Sequence, residues 1–296
     1  MKKTVLQISI IIISLIALVN NASAFSITPS KLGISIDPGQ SANFSISLEN
    51  TEKSDLVFET KILSVRQNNA GRPEFLSNFS NTEKWVASLT KNEVVKANKQ
   101  AEFDFNLSVP IKTAPGTYYI GMAFQPMPTA QADMGITPQL VTILEVKVSG
   151  TAYENLEITK WELNKGISGK NNWEFWLNLN NASNVEIFAS STVSIQKKKG
   201  QEIFSSAINL GGVILPETVR FLKPSVILPD SINKWPAIYV AKIKIEYGKT
   251  RQTIESQTAI IVLPAWFKIL IILLLVITFC IIFWRIFLRK KINKNN

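Results

Sequence analysis

The sequence predicts an all-β protein of two tandem β-sandwiches followed by one transmembrane α-helix. Apolar and polar residues alternate along most of the chain, as where Phe44, Ile46 and Leu48 are separated by polar side chains. A period of two is typical of antiparallel strands with one face in water. Turn signals such as Pro38-Gly39 and Pro115-Gly116 separate the strands, whose spacing of about ten residues is typical of immunoglobulin-like sandwiches. Residues 265–287 form one almost wholly apolar stretch.

Residues 1–24 have the three parts of a secretory signal peptide. Lys2 and Lys3 form a positive start, an apolar segment runs from Val5 to Val19, and residues 22–24 are the small-residue cleavage signal Ala-Ser-Ala. We therefore expect the chain to be exported and residues 1–24 to be removed. An uncleaved second membrane helix is the alternative.

Residues 25–150 are predicted to form the first, N-terminal sandwich. Its strands are expected near residues 26–36, 41–49, 55–66, 85–95, 101–110, 117–125 and 138–149. One long connection, residues 67–84, carries Phe75 and Phe79, and another, residues 126–138, carries Met127. Long loops at the ends of a sandwich are a usual place for binding. Phe75, Phe79 and Met127 are therefore candidate binding residues, with a connector that has no partner as the alternative.

Residues 151–263 are predicted to form a second, membrane-proximal sandwich. Its strands are expected near residues 153–163, 172–180, 184–196, 202–210, 217–228, 237–247 and 251–263. In the second of these, Trp173, Phe175, Leu177 and Leu179 should point inward, which places Trp176 outward. An outward tryptophan is a candidate ligand platform, and packing against a loop or neighbouring domain is the alternative. The run Lys197-Lys198-Lys199-Gly200 is interpreted as a hairpin turn.

The apolar stretch 265–287 matches a transmembrane helix in length, because a bilayer core about 30 Å thick needs about 20 helical residues. Trp266 and Trp284 lie near its two ends, where aromatic belts are found. The segment 288–296 is a basic tail, which marks the cytoplasmic side. We therefore expect a single-pass protein of the cell membrane with residues 25–264 outside the cell.

The charge pattern and the residue inventory exclude several classes of function. The whole chain has a net charge of +10, but residues 25–264 hold 24 basic and all 22 acidic residues, so the exported part carries only +2. The other basic residues flank or lie within the apolar segments, which argues against a nucleic-acid partner. The chain has no histidine and a single cysteine, Cys280, inside the apolar stretch. We expect no catalytic triad, cysteine nucleophile, metal site or cofactor, and we predict that the protein is not an enzyme; a glycosidase-like pair of carboxylates from distant strands is the alternative.

The order of parts resembles the WxL-interacting cell-surface proteins of Gram-positive bacteria. The matching segments of the chain are residues 27–29, 37–39, 109–110, 115–121, 180–186, 214–221 and 239–248. The resemblance implies an N-terminal peptidoglycan-binding sandwich, a second sandwich that binds a host, one membrane helix and a short basic tail. It carries no individual ligand residue over to this chain.

Two functions are the main hypotheses, beside a sensor or complex subunit that acts through the membrane helix and needs a partner inside the bilayer. The first is a non-enzymatic, membrane-anchored bacterial surface protein, an adhesin that binds cell-wall peptidoglycan or another surface protein. The alternative is an envelope assembly factor with a chaperone-like sandwich that captures secreted subunits by strand addition. The nature of the partner separates the two hypotheses.

Overall fold

A computed structural model describes residues 25–90, 93–127, 138–169, 172–229, 232 and 234–292. The signal peptide expected over residues 1–24 lies outside the described residues, as do residues 128–137 of the second long connection and the last four residues of the tail. The chain divides into two compact units. The first is Met1–Arg66 with Glu74–Thr151, and the second is Gln67–Pro73 with Ala152–Asn296.

The first unit is a sandwich of two antiparallel sheets with one parallel strand pair. The strands that lie wholly or mostly in it are β1 Phe25–Thr28, β2 Lys31–Ile36, β3 Ser41–Asn50, β4 Leu56–Gln67, β5 Pro73–Leu76, β6 Val86–Ser88, β7 Glu93–Val95, β8 Lys99–Ser108, β9 Gly116–Pro126 and β10 Leu140–Val148. The smaller sheet has the order β1-β3-β8-β6. The larger has the order β2-β10-β9-β4-β5, with β7 also paired to β4. A single 3-10 turn, Thr82–Trp85, precedes β6.

The core of the first unit is formed by the inward residues of both sheets. Phe103 and Phe105 of β8 face Phe124 of β9, with the ring centroids of Phe103 and Phe124 5.1 Å apart. These rings and the neighbouring Ile46 are fully buried. Each such side chain contributes about 1.5–3 kcal/mol by its removal from water. The period-two alternation therefore predicted the inward faces of β3 and β8 correctly.

The second unit is also a sandwich of two antiparallel sheets. The strands described in it are β11 Leu156–Gly169, β12 Asn172–Asn181, β13 Ala189–Lys197, β14 Glu202–Ile208, β15 Thr218–Leu222, β16 Ser225–Ile227, β17 Ala237–Tyr247 and β18 Gln252–Val262. One sheet has the order β11-β12-β15, with β16 also paired to β12, and the other has the order β14-β13-β17-β18. The immunoglobulin-like fold class predicted for both halves is confirmed.

The core of the second unit contains the residues that the sequence placed inward. Trp173, Phe175, Leu177 and Leu179 are all buried. Trp161 stacks on Phe175 with ring centroids 4.4 Å apart, and its indole N–H donates to the Ala241 carbonyl at 2.9 Å. This hydrogen bond removes the cost of burying the indole nitrogen. The Lys197–Gly200 run is the turn between β13 and β14, as expected, with the Gly200 N–H donating to the Lys197 carbonyl at 2.8 Å.

One helix, α1 Ala265–Ile292, follows β18 almost directly. Among the described residues it is the one helix long and apolar enough to cross a membrane, over Ala265–Arg285. The helix continues past residue 287, where the apolar stretch ends, because the basic residues that follow are also good helix formers.

The structure divides three of the predicted strands, and it adds the short strand β5 within the connection predicted over residues 67–84. Residues 26–36 form two strands in different sheets rather than one, with the break at Pro29 and Ser30. Residues 85–95 are likewise divided into β6 and β7, and residues 217–228 into β15 and β16. Alternation continues through such breaks, so it does not show where a chain changes its partner strand.

Candidate binding surfaces

The last strand of the first unit, β10, has one edge that is only partly covered. β9 pairs with β10 along its whole length, from Leu140 to Val148. β2 pairs with the other edge in parallel, but only from Ile143 to Val148. In the described part of the chain, no strand therefore forms a ladder with Leu140–Thr142 on the side away from β9, although the Thr142 side chain is fully buried and β1 passes close to β10. We call this stretch of β10 the open edge.

The open edge ends where the chain changes sheets. β1 pairs with β3 in the smaller sheet, and β2 pairs with β10 in the larger one, so the chain crosses between the sheets at Pro29 and Ser30. The Thr142 hydroxyl donates to the Pro29 carbonyl at 2.8 Å. The Ile143 N–H donates to the Ser30 carbonyl at 3.0 Å. The ladder between β2 and β10 thus begins at Ile143.

Val141 presents its backbone polar groups at the open edge. In an antiparallel ladder, successive residues direct their N–H and C=O groups alternately to the two sides. Because the Ile143 N–H bonds on the β2 side, the N–H and C=O of Val141 point to the same side. A strand edge that has no ladder partner among the described residues can accept an extended peptide as an additional strand.

The outer face of the larger sheet is apolar beside the open edge. A β-carbon built on Gly121 would lie 3.2 Å from both Phe75 and Val141 and 3.4 Å from Val65. The absence of a side chain at Gly121 lets the ring of Phe75 lie directly against the sheet. The predicted binding residue Phe75 is therefore half-buried and shares its contact, Gly121, with Val141 of the open edge.

A buried carboxylate holds β2 against β10. Glu145 of β10 forms ion pairs with Lys31 of β2 and with Lys147, the latter at 2.6 Å. Burial alone would raise the pKa of Glu145, but the hydrogen bonds and positive charges of Lys147 and Lys31 outweigh it, so its pKa lies below the ordinary glutamate value. The Lys31 ammonium also lies 6.0 Å from the ring centroid of Tyr119. These contacts stabilise the covered part of β10 next to the open edge.

The other two predicted residues of the first unit lie at opposite ends of β4. The ring centroid of Phe79 is 5.1 Å from the guanidinium carbon of Arg66, near the end of β4. The Met127 N–H donates to the carbonyl of Val57, near the start of β4, at 2.8 Å. Both side chains are exposed. Since β4 rises about 3.3 Å per residue, Phe79 and Met127 do not share one site.

In the second unit, Trp176 lies on the outer face of β12, as the alternation predicted. It is half-buried, and the Lys223 ammonium lies 4.3 Å from the ring centroid. A cation at this distance is attracted to the electron-rich face of the indole. Lys223 therefore occupies one face of the ring, and a ligand stacking on that face would have to displace it.

These surfaces consist of backbone polar groups, apolar side chains and single charged side chains. Within the described ranges, no group of three or more His, Cys, Asp or Glu side chains could hold a metal ion. The open edge offers backbone hydrogen-bonding groups and apolar side chains. Sequence reasoning missed it because residues 26–36 were treated as one strand. The signal was Pro29, since proline cannot donate to a ladder and commonly marks the end of pairing.

No known protein family and no curated protein matches the sequence. Several solved structures are similar to the chain in fold. The Class 5 fimbriae chaperone CfaA is 11% identical, with 81% of this chain and 100% of that chain covered and a TM-score of 0.45. The E. coli chaperone DraB is 9% identical, with coverages of 80% and 98% and a TM-score of 0.38. The CsuC–CsuE chaperone–tip adhesion subunit complex from Acinetobacter baumannii gives 10% identity, coverages of 81% and 98%, and a TM-score of 0.39.

Proposed function

We propose that this chain is a membrane-anchored, non-enzymatic binding protein of a bacterial envelope that captures a protein partner by strand addition, in the role of an assembly factor. The observation that carries the proposal is the open edge at Leu140–Thr142. The apolar helix α1 supplies the anchor, and the two sandwiches lie on the outer side of the membrane. The partner is a secreted or surface protein with an extended segment.

The contacts around the open edge define what such a segment needs. Backbone hydrogen bonds to Val141 give affinity that does not depend on the partner's sequence, while its alternate side chains reach the two faces of the sheet. On the outer face they meet Val141 and the ring of Phe75. An extended segment with apolar residues at alternate positions therefore fits, and a segment with charges there does not.

A variant pair at Val141 tests the proposal. Val141→Pro removes the N–H that points away from β9, at a position where an edge strand tolerates proline. Val141→Thr keeps the N–H and the branched shape, so it is the matched control. A photo-crosslinking amino acid at Gln139 in the full-length chain, in native membranes, should give a protein adduct in the wild type and in V141T but not in V141P. Equal adducts in all three chains would contradict strand addition.

The second candidate is peptidoglycan binding, as expected of a WxL-interacting cell-surface protein. The outward position of Trp176 favours it, because indole rings are common platforms for ligands. Sedimentation of the full-length chain with peptidoglycan sacculi, lost in Trp176→Ala and unchanged in V141P, would support this candidate over the assembly factor.

A further inference from the structure

The second unit carries an exposed apolar patch next to the first turn of α1. Its members, called the proximal patch below, are Trp235, Ile238, Ile261 and Leu263. They are 70%, 45%, 69% and 40% exposed. Ile238 and Ile261 are directly paired between β17 and β18. Isolated exposed apolar residues are ordinary, but a contiguous group rimmed by polar residues marks a binding surface.

The patch is continuous with the membrane helix. β18 ends at Val262 and α1 begins at Ala265, so only Leu263 and Pro264 separate them. The rings of Trp235 and Trp266 meet edge to face with centroids 5.6 Å apart. The Trp266 indole N–H donates to the Lys234 carbonyl at 3.1 Å. The loop before β17 is therefore held to the start of α1, at the level where tryptophans line a bilayer.

The lysine turn between β13 and β14 lies at the same end of this sheet. Lys197 pairs with Tyr239, and Tyr239 pairs with Ile260, so the end of β13 lies level with the start of β17 and the end of β18. Lys198 and Lys199 follow in the turn and are exposed. With neighbouring strands about 4.8 Å apart, the turn lies about 10 Å across the sheet from β18.

The opposite end of the same outer face is polar. Gln257, four residues before Ile261 on β18, pairs with Lys242 of β17. Lys242 also forms an ion pair with Glu255 at 2.6 Å. Farther on, Glu246 pairs with Thr253. The apolar residues and the lysine turn are thus gathered at the end from which α1 leaves. An apolar group with a basic rim is the composition of surfaces that lie in the lipid headgroup region.

We infer that this end of the second sandwich docks on the bilayer that holds α1. The proximal patch enters the boundary between headgroups and acyl chains, and the lysine turn binds the phosphates of anionic lipids. Trp235 suits this boundary because its ring is apolar and its N–H is polar. The inference rests on the membrane anchorage proposed above and is independent of the open edge.

Depth labelling of the full-length chain tests the inference. The chain is reconstituted at one copy per nanodisc, in phosphatidylcholine with or without phosphatidylglycerol. A nitrobenzoxadiazole label is placed at position 261 (Ile261→Cys) or, as a matched control on the same strand face, at position 257 (Gln257→Cys), both with Cys280→Ser. A third sample is labelled at the native Cys280, which reports whether α1 lies in lipid. Unchanged near-ultraviolet circular dichroism verifies the fold of each variant.

Reduction of the label by dithionite is the measurement. It should be on the order of tenfold slower at 261 than at 257, because a charged reductant enters the apolar boundary poorly. Protection at 261 should increase with phosphatidylglycerol, and the double variant Lys198→Glu, Lys199→Glu should remove that increase.

Three results would overturn the inference in distinguishable ways. A reactive label at 261 with a protected Cys280 would show that α1 is anchored but the patch is not docked. A reactive label at Cys280 would show that α1 does not lie in lipid, which would contradict both the anchorage and the docking. Protection at 261 that occurs only when several copies share one bilayer would assign the patch to a second copy of the chain.

Discussion

Asn50 and Asn181 make the same set of hydrogen bonds in the two sandwiches. Each is the last residue of its strand, β3 or β12, and each is fully buried. The side-chain oxygen of each asparagine accepts a hydrogen bond from the backbone N–H two residues further along the chain. The donor to Asn50 is Glu52, at 2.9 Å, and the donor to Asn181 is Ser183, at 3.0 Å. The amide nitrogen of each asparagine donates to the carbonyl four residues later, and to a carbonyl from a distant loop or strand end. Each sandwich therefore has the same type of asparagine corner at a point where its chain passes from one sheet to the other.

This corner predicts a large loss of stability on a nearly isosteric change. Asn181→Asp places a carboxylate oxygen against the carbonyls of Val185, Ile214 and Leu215, which the amide nitrogen contacts at 2.9–3.1 Å. We expect a loss of about 3 kcal/mol, because a buried charge would face acceptors. Urea unfolding of the full chain in detergent, followed by near-ultraviolet circular dichroism, measures it. The exposed Asn43→Asp is the control and should change stability by less than about 0.5 kcal/mol.

The ion pairs of Glu145 predict a dependence of stability on pH. Its folded pKa is lowered, so its contribution is fully present above the unfolded glutamate pKa, about 4.3, and is lost as the pH falls through the folded pKa. Glu145→Gln should reduce the thermal midpoint of the chain at neutral pH and flatten its decline in acid. The exposed Glu102→Gln serves as control. If E145Q and the wild type declined in parallel below pH 4, the ion pairs would contribute nothing.

The turn after β17 predicts a contrast between two glycines. Gly248 has a φ of +74°, and an added β-carbon would collide with the Glu154 carboxylate. That carboxylate holds the turn by accepting from the Lys249 N–H at 2.8 Å, which is the main cause of its lowered pKa. Gly248→Ala should reduce the free energy of unfolding more than Gly200→Ala does. At Gly200 φ is +86°, but no atom lies within 4 Å of an added β-carbon. Both share a strain of about 1 kcal/mol, so the difference in their urea midpoints isolates the Glu154 contact.

The contact of Gly121 with Phe75 predicts non-additive effects of two substitutions. Gly121→Ala should destabilise the first unit by about 1–3 kcal/mol, because the new methyl group displaces the ring. Phe75→Ala makes room for that methyl group. The loss of unfolding free energy in the double variant should therefore be smaller than the sum of the two single losses, by at least about 0.5 kcal/mol. Equilibrium unfolding of the four chains measures the coupling. Additive effects would show that Phe75 does not lie against Gly121 in solution.

Alternation in the sequence was sufficient to predict the faces of most strands. Phe103, Leu144 and Phe175 are buried where a period of two placed them. The apolar stretch that begins at Ala265 is a helix, since no charge interrupts its centre and its residues favour helices. These features are local, because they depend on side chains within about ten positions of each other.

The location of the candidate surfaces is a consequence of pairing between distant segments. Residue 29 is where the chain changes sheets, yet only the pairing of β2 with β10, more than a hundred positions away, shows that the ladder stops at Ile143 and leaves Leu140–Thr142 without a partner strand on that side among the described residues. In the same way, only the register of β13 with β17 places Lys198 at the helix end of the second sandwich.

The sequence by itself determined the fold class of this protein: strands with one apolar face, followed by one apolar helix that holds the single cysteine. The tertiary structure decided which strand edges are covered and which side chains share an end of a sheet. The physical reason is that a period of two specifies the side on which a residue lies but not its partner, which depends on long-range register and packing.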